Sequence, residues 1–252
     1  MLVLFHQHNQ DSNKNLLQFI KIGSACLFNN DNSIAYSILK QKAREIESSE
    51  DYTVLVVSGA IELGKQLEKD SRNKSEMSAK ELQGYASLGQ IELMELYKSI
   101  FRKQVAQLLV TEKELKQEKY IRELIYHNLS KNRITLINYN DCVDFEEIRK
   151  DNDSLAAEVM LHCYGDILII LGNDYNGFRD SSGNLIERVY SIDSNLYDCC
   201  KGKSKQGTGG FATKLDAARM ILEKNKTMIV SNINYHLEDI LNGTAKRTLF
   251  KK

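Results

Sequence analysis

Six continuous apolar runs constrain this chain more than any other feature. They are "LQFIKIG" (17–23), "YTVLVVS" (52–58), "VAQLLVT" (105–111), "ITLINYN" (134–140), "DILIILG" (166–172) and "TMIVSN" (227–232). A strand with one wet face alternates apolar and polar residues, whereas unbroken Val/Ile/Leu runs suit strands covered on both faces. Helical periods lie between them. Leu82, Tyr85, Ala86, Leu93, Leu96, Tyr97 and Ile100 recur at spacings of three and four within 78–101, and 153–164 and 212–224 read as further helices. Strands alternating with helices pair in parallel through crossovers, so the predicted class is α/β, with helices on both faces of a mostly parallel sheet. "GFRDSSGNLIERVYSID" predicts a peripheral hairpin turning at 181–184, and "KQLEKDSRNKSEMSAK" a solvated connection. No internal repeat or linker divides the chain, so 1–252 is read as one domain.

Composition narrows the function classes. Lys plus Arg and Asp plus Glu both number 34, giving no net charge, which argues against nucleic acid or an anionic membrane as partner. No apolar run reaches the roughly 20 residues of a bilayer span. The start, "MLVLFHQHNQ", has neither a basic n-region nor a small-residue cleavage site. The expected location is the cytoplasm, with the five cysteines as reduced thiols. Proline is absent from all 252 residues, where an average frequency of about 5% would give about a dozen. Turns must be built from Gly, Asn and Asp.

The residues suited to chemistry gather at strand ends and helix starts. "QGTGGFATK" (206–214) precedes a helix; no strand leads into it, so it fits no dinucleotide fingerprint, and it is not a Walker A loop. It can offer backbone amides and Lys214 to an anion, or be a surface loop. Lys21 interrupts an apolar strand just before Gly23 and Ser24, which let the backbone turn close to a ligand, and is either a paired lysine at a buried strand end or one reaching solvent at a sheet edge. Ser58 and Gly59 end the second strand, where ligands bind or a tight turn forms. Asn138, Asn140, Asp141, Asp151, Asn152 and Asp153 crowd two neighbouring termini. They lack the Gly and Glu of an EF-hand. They suit holding an ammonium group, orienting lysines or Mg2+, or capping a helix. Asn173 and Asp174 end the fifth strand. In a parallel sheet these ends share one edge, and two lysines, amides and carboxylates about one cleft suit phosphoryl transfer.

The ordered series "IKIGSA", "VVSGAIELG", "LGQIELMELY", "VAQLLVT", "LINYND", "DNDSLAA", "NDYNGF", "GTGGFATKLDAA" and "TLF" resembles the glutamate 5-kinases of the amino acid kinase family, from about Phe19 to Phe250. The resemblance implies a three-layer αβα sandwich on a roughly eight-stranded, mostly parallel sheet. It implies ATP- and Mg2+-dependent phosphorylation of the γ-carboxylate of L-glutamate, the first step of proline synthesis. Lys21 and Lys214 would stabilise the transferring phosphoryl group, and Asp153 would hold both lysines. Ser58, Gly59, Asp141 and Asn152 would bind the amino acid. Gly23, Asn173, Asp174, Thr208, Gly209 and Gly210 would bind the nucleotide, with no metal held by the protein. It also implies a homo-oligomer, dimer or tetramer, made of the kinase domain alone. Residues 1–16 would be an N-terminal extension, and the RNA-binding-like C-terminal domain of many relatives would be absent. The chain departs from the family pattern at Tyr139, usually Glu, and Lys150, usually Gly. These two positions leave room for another carboxylate, carbamate or phosphate acceptor. A catalytically silent ligand-binding paralogue is the remaining alternative. The missing proline then has two readings: codon bias, or an enzyme of proline synthesis that can be translated when proline is scarce.

Overall fold

The computed structural model describes residues 15–143, 151–200 and 210–252. The positions expected to matter at Lys150, Thr208 and Gly209 lie outside the described residues. In chain order the first elements are β1 (Leu17–Ile22), α1 (Tyr36–Ser48), β2 (Tyr52–Val57), α2 (Ala60–Leu67), α3 (Ala79–Ile100) and β3 (Val105–Val110). Next come α4 (Glu112–Leu115), α5 (Glu118–Ser130), β4 (Ile134–Tyr139), α6 (Asn152–His162), β5 (Ile167–Gly172) and β6 (Arg188–Val189). The chain closes with α7 (Ser194–Cys200), α8 (Phe211–Glu223), β7 (Thr227–Asn232), α9 (Leu237–Asn242) and β8 (Arg247–Phe250).

All six apolar runs are strands of one eight-stranded sheet in the order β3-β4-β2-β1-β5-β7-β8-β6. β8 runs antiparallel to β7 and parallel to β6, and the other pairs are parallel. The expected hairpin is present. Arg179 and Leu185 form an antiparallel bridge, and Gly183 takes a left-handed φ of 88° at the turn.

Alternation along each strand sorts the core into two layers. Phe19, Val54, Val56, Ile137, Leu168 and Ile170 face α5, α6 and α8. Ile20, Ile22, Leu55, Val57, Leu136 and Ile169 face α1, α2, α3 and α9. Every residue of β1, β4 and β5 is buried, as the absence of alternation requires. Truncating a fully buried ring such as Phe19 to Ala would cost about 3–5 kcal/mol.

Three local features shape the connections between the strands. Ser78 caps α3 in a reciprocal box with Glu81: Ser78 N–H donates to Glu81 Oε2 at 2.8 Å, and Glu81 N–H donates to Ser78 Oγ at 3.3 Å. α2 and α3 cross in backbone contact, because a Cβ on Gly64 would stand 2.0 Å from Tyr85 O and one on Gly89 1.8 Å from Ala60 O. Turns are made without proline, and Asn32, Asn132 and Asn225 adopt left-handed φ of 62°, 54° and 53°. Asn tolerates that region better than most side chains, as expected for a chain that cannot use Pro at its turns.

Candidate active site

β1 lies at the point where the chain leaves the sheet in one direction toward β2 and returns on the other side at β5. In open α/β sheets a crevice forms outside the strand ends at such a point. Lys21 is the last residue but one of β1, on the same face as Leu17 and Phe19, and so is directed toward the α6 layer. α6 begins there. Asp151 is its N-cap, accepting Asp153 N–H at 3.0 Å and Ser154 N–H at 2.8 Å. The helix therefore opens at Asn152, one residue before the expected start at Asp153. The shift matters, because with Asp151 capping the helix the Asp153 carboxylate is free to point inward.

Asp153 is fully buried and collects three partners. Lys21 Nζ is 2.7 Å from Oδ1, and Lys214 Nζ donates to Oδ2 at 3.1 Å. The Thr213 hydroxyl lies 3.0 Å from Oδ2 and 2.8 Å from Gly210 O, and can donate to one at a time. Burial alone would raise the Asp153 pKa, but the two ammonium charges outweigh it and hold the carboxyl down at about 2. Lys21 and Lys214 are themselves buried. Lys214 Nζ also lies 5.2 Å from the Tyr175 ring centroid, a cation–π distance. Gly210 is the N-cap of α8 and makes no side-chain cap.

The other expected residues surround this centre at the same sheet edge. Gly23 N–H donates to Leu171 O at 3.2 Å, tying the end of β1 to β5. Its φ is −70°, so no backbone strain demands glycine there. Asn173 Nδ2 reaches Ala25 O at 3.4 Å, and Asp174 is exposed at the rim. Ser58 Oγ donates to Ile22 O at 3.2 Å, joining the ends of β1 and β2. Gly59 takes φ 117°, and a Cβ there would stand 2.3 Å from Leu27 Cδ1. That glycine is required by its own backbone and by packing, before any ligand is considered. Asp141 is half-buried in the turn after β4. Asn152 Nδ2 donates to Val57 O at 3.1 Å and to Asn138 Oδ1 at 3.0 Å, and Asn138 Nδ2 donates to Gln90 Oε1 at 3.0 Å.

The edge thus has two parts, a charged centre on the α6–α8 side and a row of hydrogen-bonded side-chain amides between α6, β4 and α3. Thr213, Tyr175 and Gln90 were not among the expected site residues. Thr213 had a signal in the sequence, one residue before Lys214. Gln90 had none, since a lone Gln on a helix reads as surface. Tyr139 is 5% exposed and packs in the same apolar cluster as Ile137, while Asn138 turns to Gln90.

The sequence pattern of the amino acid kinase family matches residues 17–232. The chain belongs to the amino acid kinase family. Among similar proteins, the glutamate 5-kinase of Alkaliphilus metalliredigens is 33% identical over 95% of this chain and 97% of its own length. That of Clostridium perfringens is 32% identical over 92% of this chain and 93% of its own. Two solved structures share the fold. The UMP kinase of Ureaplasma parvum superposes with a TM-score of 0.61 at 18% identity, covering 95% of this chain and 97% of that one. The carbamate kinase of Giardia lamblia, bound to AMP-PNP, gives 0.64 at 15%, covering 94% and 99%. The match agrees with the kinase-domain resemblance and with the three-layer sandwich expected from the sequence.

Family membership implies ATP and, with it, Mg2+. Among the described residues no three His, Cys, Asp or Glu side chains are grouped as a metal cage. Both Asp153 oxygens face ammonium groups. Mg2+ is commonly held through substrate phosphates with one or two carboxylates and keeps several of its waters, so such an ion would need few ligands from the protein.

Proposed function

We propose that this protein transfers the γ-phosphoryl group of ATP to the γ-carboxylate of L-glutamate, giving glutamyl 5-phosphate, the opening reaction of proline synthesis. The single observation that carries this reading is the meeting of Lys21 and Lys214 on Asp153, 2.7 and 3.1 Å from its two oxygens, at the ends of parallel strands. Its acceptor is drawn from the full-length similarity to the two glutamate 5-kinases.

In the reaction, a γ-carboxylate oxygen attacks the γ-phosphorus. A P–O bond forms, the bridging P–O bond to the β-phosphate breaks, and ADP leaves with the electron pair. The glutamate side chain is ionised at neutral pH, so no general base is needed. Lys21 and Lys214 meet the charge that spreads over the equatorial oxygens, and Asp153 fixes both ammonium groups before the substrates arrive. Mg2+ on the phosphates would supply further charge neutralisation. Ser58, Gly59, Asp141 and Asn152 hold the amino acid. Gly23, Asn173, Asp174 and the loop containing Thr208, Gly209 and Gly210 hold the nucleotide. The protein acts as one kinase domain, in the cytoplasm and as a homo-oligomer.

Incubation with ATP, Mg2+, hydroxylamine and a panel of carboxylate acceptors tests the reading, because hydroxylamine traps acyl phosphates. Hydroxamate with glutamate alone is the expected result. A signal with another carboxylate, or ADP release with a carbamate or phosphate acceptor, would replace the acceptor. Ligand binding without turnover would replace catalysis by regulation.

A further inference from the structure

Tyr175 lies beside the charged centre, and three separate contacts hold it there. Its ring rests on the backbone of Gly172, the last residue of β5. A Cβ on Gly172 would stand 2.1 Å from Tyr175 Cζ and 2.4 Å from its hydroxyl oxygen. Gly172 does not take a left-handed φ, so it is the ring that requires glycine there. The second contact is to the end of β7. Asn232 Nδ2 donates to Tyr175 O and to Asn173 O, each at 3.0 Å. Two carbonyls can only accept, so Asn232 is locked with its NH2 toward them, and its oxygen accepts Asn234 N–H at 2.9 Å. The third contact is the Phe211 ring, 5.6 Å away and tilted by 56°, which itself meets Phe178 edge-on at 4.8 Å. Over the ring held in this way lies Lys214 Nζ, 5.2 Å from the centroid.

We infer that Tyr175 is a positioning residue for Lys214, an aromatic seat that fixes the ammonium group for the transferring phosphoryl group without using its hydrogens or cancelling its charge. A lysine carries its charge on a flexible four-carbon stem. Asp153 Oδ2 holds that charge at 3.1 Å, and a contact to one atom leaves the group room to swing about it. The ring limits that swing from a second side. A further carboxylate in its place would take an N–H and neutralise the cation. The face of a ring attracts the cation through its quadrupole, occupies no oxygen-directed donor and adds no net charge. The phenol itself stays neutral, because burial pushes its pKa well above the usual tyrosine range. The inference rests on the phosphoryl-transfer reading proposed above.

The test is a fluorination series on Tyr175→Phe, in which the introduced ring carries no, one, two or three fluorines. Fluorine drains negative charge from the ring face and hardly changes the size of the ring, so the packing on Gly172 and Phe211 is kept while the attraction for Lys214 fades. The kcat of Tyr175→Phe should stay close to that of the unaltered protein. It should then fall with each fluorine, by about fivefold across the series, with the KM for ATP and for the acceptor within about twofold. Tyr175→Leu, which fills the space without a π face, should match the most fluorinated ring. A residue that only packs would give no such trend. Should Tyr175→Phe fail to fold, fluorinated tyrosines at the same position read the same quantity. A kcat that ignores the fluorine count or rises with it, or a loss that falls on either KM instead of kcat, would overturn the inference and leave the kinase reading standing. No turnover of any acceptor by the unaltered protein would overturn both.

Discussion

Two kinds of buried lysine occupy this molecule, and the difference between them separates scaffold from chemistry. Lys42 on α1 is 1% exposed. Its ammonium donates to Glu45 Oε2 at 2.6 Å, three residues along the same helix, and to Tyr235 O. Glu45 is satisfied in turn by Gln41 Nε2 at 2.8 Å, Leu237 N–H at 3.0 Å and the His236 ring at 2.7 Å. One cation meets one anion, the carbonyl and amides complete the shell, and the result is a clamp holding α1 against the start of α9. Lys21 and Lys214 come from a strand and a helix far apart in the chain, and they share the single carboxylate of Asp153. Among the described residues that centre has two ammonium groups for one acid. Lys42 and Glu45 are paired within one turn of one helix, whereas the Asp153 carboxylate gathers two cations from distant parts of the chain.

The largest effect that would break this distinction is on turnover. Lys214→Ala should lower kcat by about 10²–10³-fold, since removing a group that meets transition-state charge typically costs that much. ADP release under saturating ATP and acceptor reads it, with circular dichroism showing the variant folded. Near-normal turnover would remove Lys214 from the chemistry. Lys42→Met should do the reverse. It leaves the half-buried Glu45 carboxylate without its lysine and should cost about 1–3 kcal/mol of stability, seen as a lower midpoint in urea, while the folded fraction keeps its kcat. A loss of kcat at full stability would erase the difference between the two sites.

The smallest effect sharpens it through pH. The two lysines hold Asp153 at about 2 against an ordinary value of 3.8. A carboxyl depressed in the folded state stabilises it fully above the unfolded value and loses that contribution as pH falls through the folded one. The window is therefore about pH 4 to 2. Asp153→Asn should lack this part of the acid limb, so its stability should vary less steeply with pH there than that of the parent, as read by denaturant titration at fixed pH values. Equal slopes would mean that Asp153 is not held down by its lysines.

Much of this was legible in the sequence because periodicity is a local property. β1, β2, β3, β4, β5 and β7 announce themselves as apolar runs, and Lys21 was conspicuous as the one charge inside such a run. Asp153 and Lys214 stood beside recognisable helix starts. β6 and β8 were not legible as sheet members: one has two residues and the other four, too few for any period to show. Asp151 and Asp153 both read as possible caps, and only the position of α6 above β1 assigns one to the helix and the other to the lysines.

What the sequence determined by itself is the layered α/β arrangement, the edge where its polar residues collect, and the family. The tertiary structure decided which groups meet. Lys42 and Gln90 sit on helices among ordinary neighbours, and nothing within a helical turn distinguishes them from surface residues. Lys42 is buried because the loop before α9 closes over it, and Gln90 because two glycines let α2 and α3 touch. Partner choice of this kind depends on crossovers that bring distant residues within 3 Å, and no local pattern encodes that distance.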